Sequence, residues 1–383
     1  MSPFLPTSAA RKIVLFALLF ILLLASAFAF LSVRQAAQQR DYLNALKSLS
    51  FNKYLDLPVG YSSVSHIAAW DAYVFTAPEF QCVTGGPYVI LVHKGAQADR
   101  TILWLEVGDE CWPGHPQCPA GGAPQAPDAA ILQRLVAGVD ISPFGPTAAD
   151  KANPVAQWNY IYLPTCDGSW HFGDAAADYD EDGVPDHWHN GLRQTSAAVS
   201  LMRQLFPGSQ KILVFGSSNG GFGTYGAAPI VRLAFPKTPL YVLDDSGPGV
   251  FSPDRPDVWP AIQKAWNLAP MFPPGCPRCT QQLAYLSDWM LQRDPRLKIG
   301  LFTSYRDEVV SAVLGMDPAE YQRLLLATTG EIHQDHPASY QRFVVAGKTH
   351  CINDYYRSID GVTVWDWLAS LVNDDPRWTE HLQ

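Results

Sequence analysis

The sequence predicts an α/β protein in which a mostly parallel sheet is covered by helices on both faces. Three observations carry this expectation. Short β-rich runs alternate with helical patterns along the chain, as they do where crossover helices join parallel strands. Hydrophobic residues make up 48% of the sequence and charged residues 16%, enough apolar side chain for a substantial core. The apolar run 211–215 leads straight into a glycine-rich turn and a helix start, the strand-turn-helix junction of such folds.

The elements follow in order. Residues 1–12 end in Arg11 and Lys12, and residues 13–33 carry no charge. That run matches the roughly 20 apolar residues needed to cross a bilayer. The preceding positive charges put residues 1–12 in the cytoplasm and everything after residue 33 outside it. Ala25-Ser26-Ala27 and Ala27-Phe28-Ala29 resemble signal cleavage sites, so the segment reads as a transmembrane anchor or a signal peptide. In either case the body is exported: membrane-anchored on the periplasmic or extracellular side, or secreted if the segment is cleaved.

Residues 34–60 are expected as a stalk or linker, helical over 34–49, and residues 61–376 as a single domain. Its strands are predicted at 88–93, 101–107, 159–164, 211–215, 240–243, 299–303 and 343–346. Helices are predicted near 190–205, 221–234, 280–293, 318–327 and 361–372. The 31 prolines concentrate between strands, consistent with long, stiff loops. A net charge of −9 and the lack of any basic stripe argue against a nucleic-acid partner.

In an oxidising compartment the seven cysteines are disulfide candidates first. Cys111 and Cys118 are close enough to close a small loop, and Cys276 with Cys279 a smaller one. An isolated CxxC without a second half argues against zinc. An odd count leaves at least one thiol without an intrachain partner.

The chemistry is concentrated at Gly216-Ser217-Ser218-Asn219-Gly220, which fits G-x-S-x-G, the nucleophile elbow of α/β-hydrolase-like folds. A nucleophilic serine needs an exposed, strained turn with small neighbours, and the next N–H then sits at a helix N-terminus, facing a developing oxyanion. Ser218 is the candidate nucleophile, and the backbone N–H of Asn219 an oxyanion donor. A second donor is expected from the strand-end corner at Gly108 or Asp109. His350, just past the last predicted strand, is the candidate base; His333 and His336 fit less well. For the acid, Asp307 and Asp245 both follow strand ends, and position alone leaves the two open.

Several blocks, in order, resemble the pectin acetylesterase family, which includes Notum-like carboxylesterases. They are Leu105 to Trp112, Asn153-Pro154 with Trp158-Asn159, Pro164-Thr165-Cys166-Asp167-Gly168, Gly173-Asp174, the serine turn through Gly221, Asp245-Ser246-Gly247, Arg306-Asp307, and Gly347 to His350. The resemblance spans residues 80 to 370. It implies a Ser218–Asp307–His350 triad, Asp245 as a structural wall, and bridges Cys111–Cys118 and Cys82–Cys166. The chain departs from the family pattern at Asp109, whose carboxylate must face away from an oxyanion, and at Asn219, where only the backbone N–H is needed.

Asp178, Asp180, Asp182 and Asp186 have the D-x-D-x-D-G spacing of calcium loops, with His189 where an EF-hand needs Glu. The alternatives are one structural calcium ion or a solvated acidic turn. His187 and His189 are expected as cleft lining on an entering helix. The resulting expectation is an exported serine carboxylesterase that deacetylates an O-acetylated polysaccharide and requires no cofactor or catalytic metal. Its rivals are a Notum-like deacylase of a lipidated substrate and a non-catalytic surface carbohydrate-binding protein on a hydrolase scaffold.

Overall fold

A computed structural model describes residues 8–49, 51–55, 57, 60–108, 110–115, 118, 129–146, 152–350 and 354–383. Its centre is a ten-stranded sheet. The strands in chain order are β1 (Ser63–Ile67), β2 (Trp70–Phe75), β3 (Tyr88–His93), β4 (Gln97–Leu105) and β5 (Trp158–Leu163). A separate ribbon, β6 (Ala175–Ala177) with β7 (His187–His189), precedes β8 (Lys211–Ser217), β9 (Leu240–Asp245), β10 (Leu297–Ser304) and β11 (Tyr340–Val345). A short hairpin, β12 (Ser358–Ile359) and β13 (Val362–Thr363), and the edge strand β14 (His381–Leu382) complete the set.

The sheet order is β1-β2-β3-β5-β4-β8-β9-β10-β11-β14. The pairings from β5 through β14 are parallel, and those among β1, β2, β3 and β5 are antiparallel. The expected α/β class with a mostly parallel sheet is therefore what the chain adopts. β14 lies past residue 376, so the domain runs further than the sequence boundary placed it.

The helices are α1 (Ser8–Ser48), α2 (Ala129–Ile141), α3 (Gly191–Leu205), α4 (Asn219–Ala234), α5 (Val258–Ala265), α6 (Tyr285–Leu291), α7 (Glu308–Val313), α8 (Pro318–Asp335) and α9 (Val364–Val372). Alternation along each central strand divides the core in two. In β8, Ile212 and Val214 join the cluster that includes α3, α4 and α8, whereas Leu213 and Phe215 join the one under α2 and α9. β9 splits in the same way, with Leu240 and Val242 on one face and Tyr241 and Leu243 on the other. Strands buried on both faces read as near-continuous apolar runs, which made them legible.

Two expectations about the N-terminal part change. Residues 34–60 are not simply a stalk: Tyr42, Leu46, Leu49, Phe51 and Tyr54 are buried in the first cluster, and Tyr42 packs edge-on against Trp289. The physical reason is a stripe at helical spacing on α1 that meets the body. Lys53 and Tyr54 then reach the buried Asp174 carboxylate at 2.7 and 2.8 Å, alongside Arg193 at 2.6 Å. Burial alone would push the Asp174 pKa up, but these three donors together hold it below its usual value.

For residues 13–33, no helix among the described residues is long and apolar enough to cross a membrane. The spanning anchor expected there is not found, and the side chains at 13–15, 27, 28 and 31 lie outside the described set. Phe16, Leu18 to Leu24, Phe30 and Val33 on α1 are exposed.

Candidate active site

Because β8, β9, β10 and β11 are adjacent and parallel, whatever follows their C-terminal ends shares one rim of the sheet. Ser218 follows β8, Asp245 ends β9, Asp307 follows β10 and His350 follows β11. The chain thus gathers at one edge residues that are up to 132 positions apart (350 − 218).

Ser218 is the N-cap of α4 with φ 54° and ψ −117°, a left-handed backbone that is costly for any residue with a Cβ. Its N–H donates to the Asp245 carbonyl at 2.7 Å, which holds the turn in that shape. The glycines around it are required by close approach: a Cβ on Gly216 would run into the Gly220 carbonyl, and one on Gly220 into the Leu105 carbonyl. The helix start has no side-chain cap, so its first N–H groups face the rim.

Asp307 is fully buried and both of its oxygens are engaged. Oδ1 accepts the N–H groups of Val309 and Val310 at 3.0 Å each, capping α7. Oδ2 lies 2.6 Å from His350 Nδ1. That contact leaves Nε2 as the other imidazole nitrogen. His350 Nε2 is buried and has no hydrogen-bond partner among the described residues, so no bond to Ser218 Oγ is closed. The loop carrying His350 is stitched to the neighbouring strand end. Arg306 and Glu308 donate backbone N–H groups to Gly347 and Lys348, and Ser304 Oγ donates to the Thr349 carbonyl.

The competing residues are occupied elsewhere. His333 Nδ1 bonds the Tyr340 carbonyl and His336 Nε2 bonds Asp288 at 2.8 Å, both on the α8 side. Asp245 lies at the rim but does not bond His350. Its carboxylate accepts Ser217 Oγ, Ser246 Oγ and Tyr355 Oη at 3.2, 3.0 and 3.1 Å. Burial raises its pKa to about 6, against the lowering pull of these hydroxyls and the His350 charge.

Asp109 lies outside the described residues, so the expectation that its side chain faces away belongs to that segment. The rest of the corner is in place. The Asn219 side chain donates to the Gly108 carbonyl and to Glu110 Oε2 at 2.7 Å. Asn219 therefore does more than supply a backbone N–H, because its amide ties the helix start to the corner after β4. Glu106, at the same corner, accepts the Thr165 N–H at 2.9 Å, and burial pushes its carboxyl pKa up. A cavity of about 340 Å³ opens beside the serine turn, with Trp104, Glu106, Phe215, Ser217 and Tyr355 in its wall.

Three disulfides are present among the described residues: Cys82–Cys166, Cys111–Cys118 and Cys276–Cys279. The two with Cys82 and Cys111 are those implied by the resemblance, and the third is the smallest loop read from spacing. Cys351 lies outside the described residues. Asp178, Asp180 and Asp182 bring carboxylate oxygens within 4.8 Å of one another and could hold a hard cation. Asp186 is not part of that group; its Oδ1 takes the Tyr179 N–H and pairs with His187.

His187 and His189 sit on a strand and not on the entering helix expected from sequence. Both are buried, and His189 bonds Tyr179 Oη at 2.7 Å and the Asp167 carbonyl at 2.9 Å. Sequence reading also missed Tyr355 and Glu110, whose roles come entirely from tertiary contacts.

No family model matches the chain, and no curated protein is significantly similar to it.

Proposed function

We propose that this chain is an exported serine carboxylesterase with an α/β-hydrolase-like fold, acting on an O-acetylated polysaccharide. One observation carries the reading. A serine held in a left-handed turn at a helix start shares a sheet rim with a buried carboxylate–imidazole pair whose second ring nitrogen has no hydrogen-bond partner among the described residues.

In this mechanism Ser218 Oγ attacks the ester carbonyl carbon while His350 Nε2 takes its proton. The oxyanion receives the N–H of Asn219 and a second from the Gly108–Asp109 corner. Collapse of the intermediate breaks the bond to the alcohol oxygen, which leaves with the proton from His350. Water then repeats the sequence and releases the carboxylic acid. Asp307 accepts the Nδ1–H throughout and stabilises the imidazolium. The proton transfer requires the Ser218–His350 hydrogen bond to close in the substrate complex, as catalytic hydrogen bonds often do only there.

The 340 Å³ cavity beside the serine turn is lined by polar Glu106, Ser142 and Ser217 as well as by rings, but neither Ser218 nor His350 is in its wall, so the short acyl group is taken from the family resemblance. The Notum-like alternative would need a deep apolar pocket. The disulfides support an oxidising compartment. The exposed apolar side chains of α1 suit a lipid surface or a cleaved leader.

The test is labelling by a fluorophosphonate probe. The wild-type chain is expected to label and Ser218→Ala to lose the label. An unlabelled wild type would favour the carbohydrate-binding reading. Hydrolysis of p-nitrophenyl esters from acetate to palmitate, beside acetylated pectin and xylan, sorts the acyl and alcohol halves.

A further inference from the structure

Asp245 sits at the centre of the rim with no part in the proton relay, yet it touches both halves of the catalytic set. Its main-chain carbonyl accepts the Ser218 N–H at 2.7 Å. Its side chain accepts Ser217 Oγ from the same turn and Tyr355 Oη from the loop that follows His350. Tyr355 is itself immobilised. Its ring stacks on Trp365 at 4.4 Å and tilts against Phe302 and Phe144, and its carbonyl accepts the Trp365 N–H. The one hydroxyl on this packed ring is spent on Asp245.

We infer that Asp245 and Tyr355 form a positioning clasp that ties the segment after His350 to the nucleophile turn. This rests on the Ser218–Asp307–His350 reading. Two features separate a clasp from a buried polar contact in the core. The carboxylate bridges two segments that each carry a reacting group, and it is the shared acceptor of hydroxyls from both. Its titratable neighbours are Asp244 on its own strand, Tyr355 and His350, the last held from behind by Asp307.

The test uses the full chain and p-nitrophenyl acetate. Tyr355→Phe keeps the ring packing and removes only the hydroxyl. It is expected to lower kcat about tenfold with KM within about twofold, the mark of lost alignment. Asp245→Ala removes the shared acceptor and is expected to lower kcat with KM similarly held, and adding Tyr355→Phe to it is expected to cost little more, because both cut one contact. An unchanged kcat in Tyr355→Phe overturns the inference, as do losses that add in the double variant, and Tyr355→Phe alone carries the test should Asp245→Ala fail to fold. If fluorophosphonate labels the wild type while Tyr355→Phe keeps its kcat, the clasp fails and the esterase reading stands; if the wild type is not labelled, the esterase reading fails and takes the clasp with it.

Discussion

At Asp307 two jobs meet in one side chain, since one oxygen caps α7 and the other holds His350. Asp307→Asn separates them. The amide oxygen can still cap the helix, so thermal stability should stay near wild type, whereas the imidazole loses the acceptor that sets its tautomer. The expected result is a fall in kcat of roughly a thousandfold or more, read by ester hydrolysis beside a melting curve. A large loss of melting temperature without that kinetic loss would mean the residue serves the helix alone. The places of Ser218, Asp245, Asp307 and His350 at the sheet rim were legible because strand ends can be read from apolar runs, but position did not separate Asp307 from Asp245, and only the resemblance favoured Asp307. Tyr355 was not legible. Nothing in Asp354-Tyr355-Tyr356 separates the tyrosine that bonds Asp245 from its neighbour, which is exposed. Asn219 was only half legible, because the need for a backbone N–H is local while the reach of its side chain to Glu110 depends on how β4 ends.

Among elements, the β6–β7 ribbon holds the clearest pH sensor of stability. Burial drives the His189 pKa down to about 4, against an unfolded value of about 6.5. Between those limits the unfolded chain binds a proton that the folded chain refuses, so stability falls as pH falls through that window. The slope is at most about 1.4 kcal/mol per pH unit. Asp245 runs the other way. Its folded form keeps a proton up to about 6, so its contribution declines as pH rises from about 3.8 to 6. Comparing His189→Asn with wild type cancels the second effect. The variant should be less stable at pH 7, having lost two hydrogen bonds, and should decline less steeply between pH 6.5 and 4 in denaturant titrations. Parallel slopes would mean that His189 is protonated in the fold. This ribbon was invisible in the sequence because three-residue strands carry too little alternation to distinguish from loop, and Ala175 to Ala177 give none at all. The central strands, with both faces buried, gave the opposite case.

For the molecule as a whole, the informative cut is through α1. A chain beginning at residue 34 keeps Tyr42, Leu46, Leu49, Phe51 and Tyr54, all buried, and the Lys53–Asp174 contact. It should fold with near-wild-type stability and be more soluble. A chain beginning at residue 56 loses all five side chains, worth about 1.5–3 kcal/mol each, and leaves Asp174 with Arg193 as its remaining partner. Set against the roughly 5–15 kcal/mol of a typical domain, that loss should unfold it or bring its melting temperature down sharply. Equal melting of the two truncations would show that the 42–54 segment is dispensable. The signal for this docking was in the sequence, since Tyr42, Leu46 and Leu49 recur at i, i+4 and i+7, but the surrounding charge made the stretch read as solvent-facing.

The same unbroken helix runs from the exposed apolar stretch into the docked stripe, with about 14 Å of rise between residues 33 and 42. If the outer end is held at a surface, the body has no swivel there. Its height and tilt would be set as by a bracket, and the rim that carries Ser218 would sweep only a narrow shell of whatever polymer lies beyond.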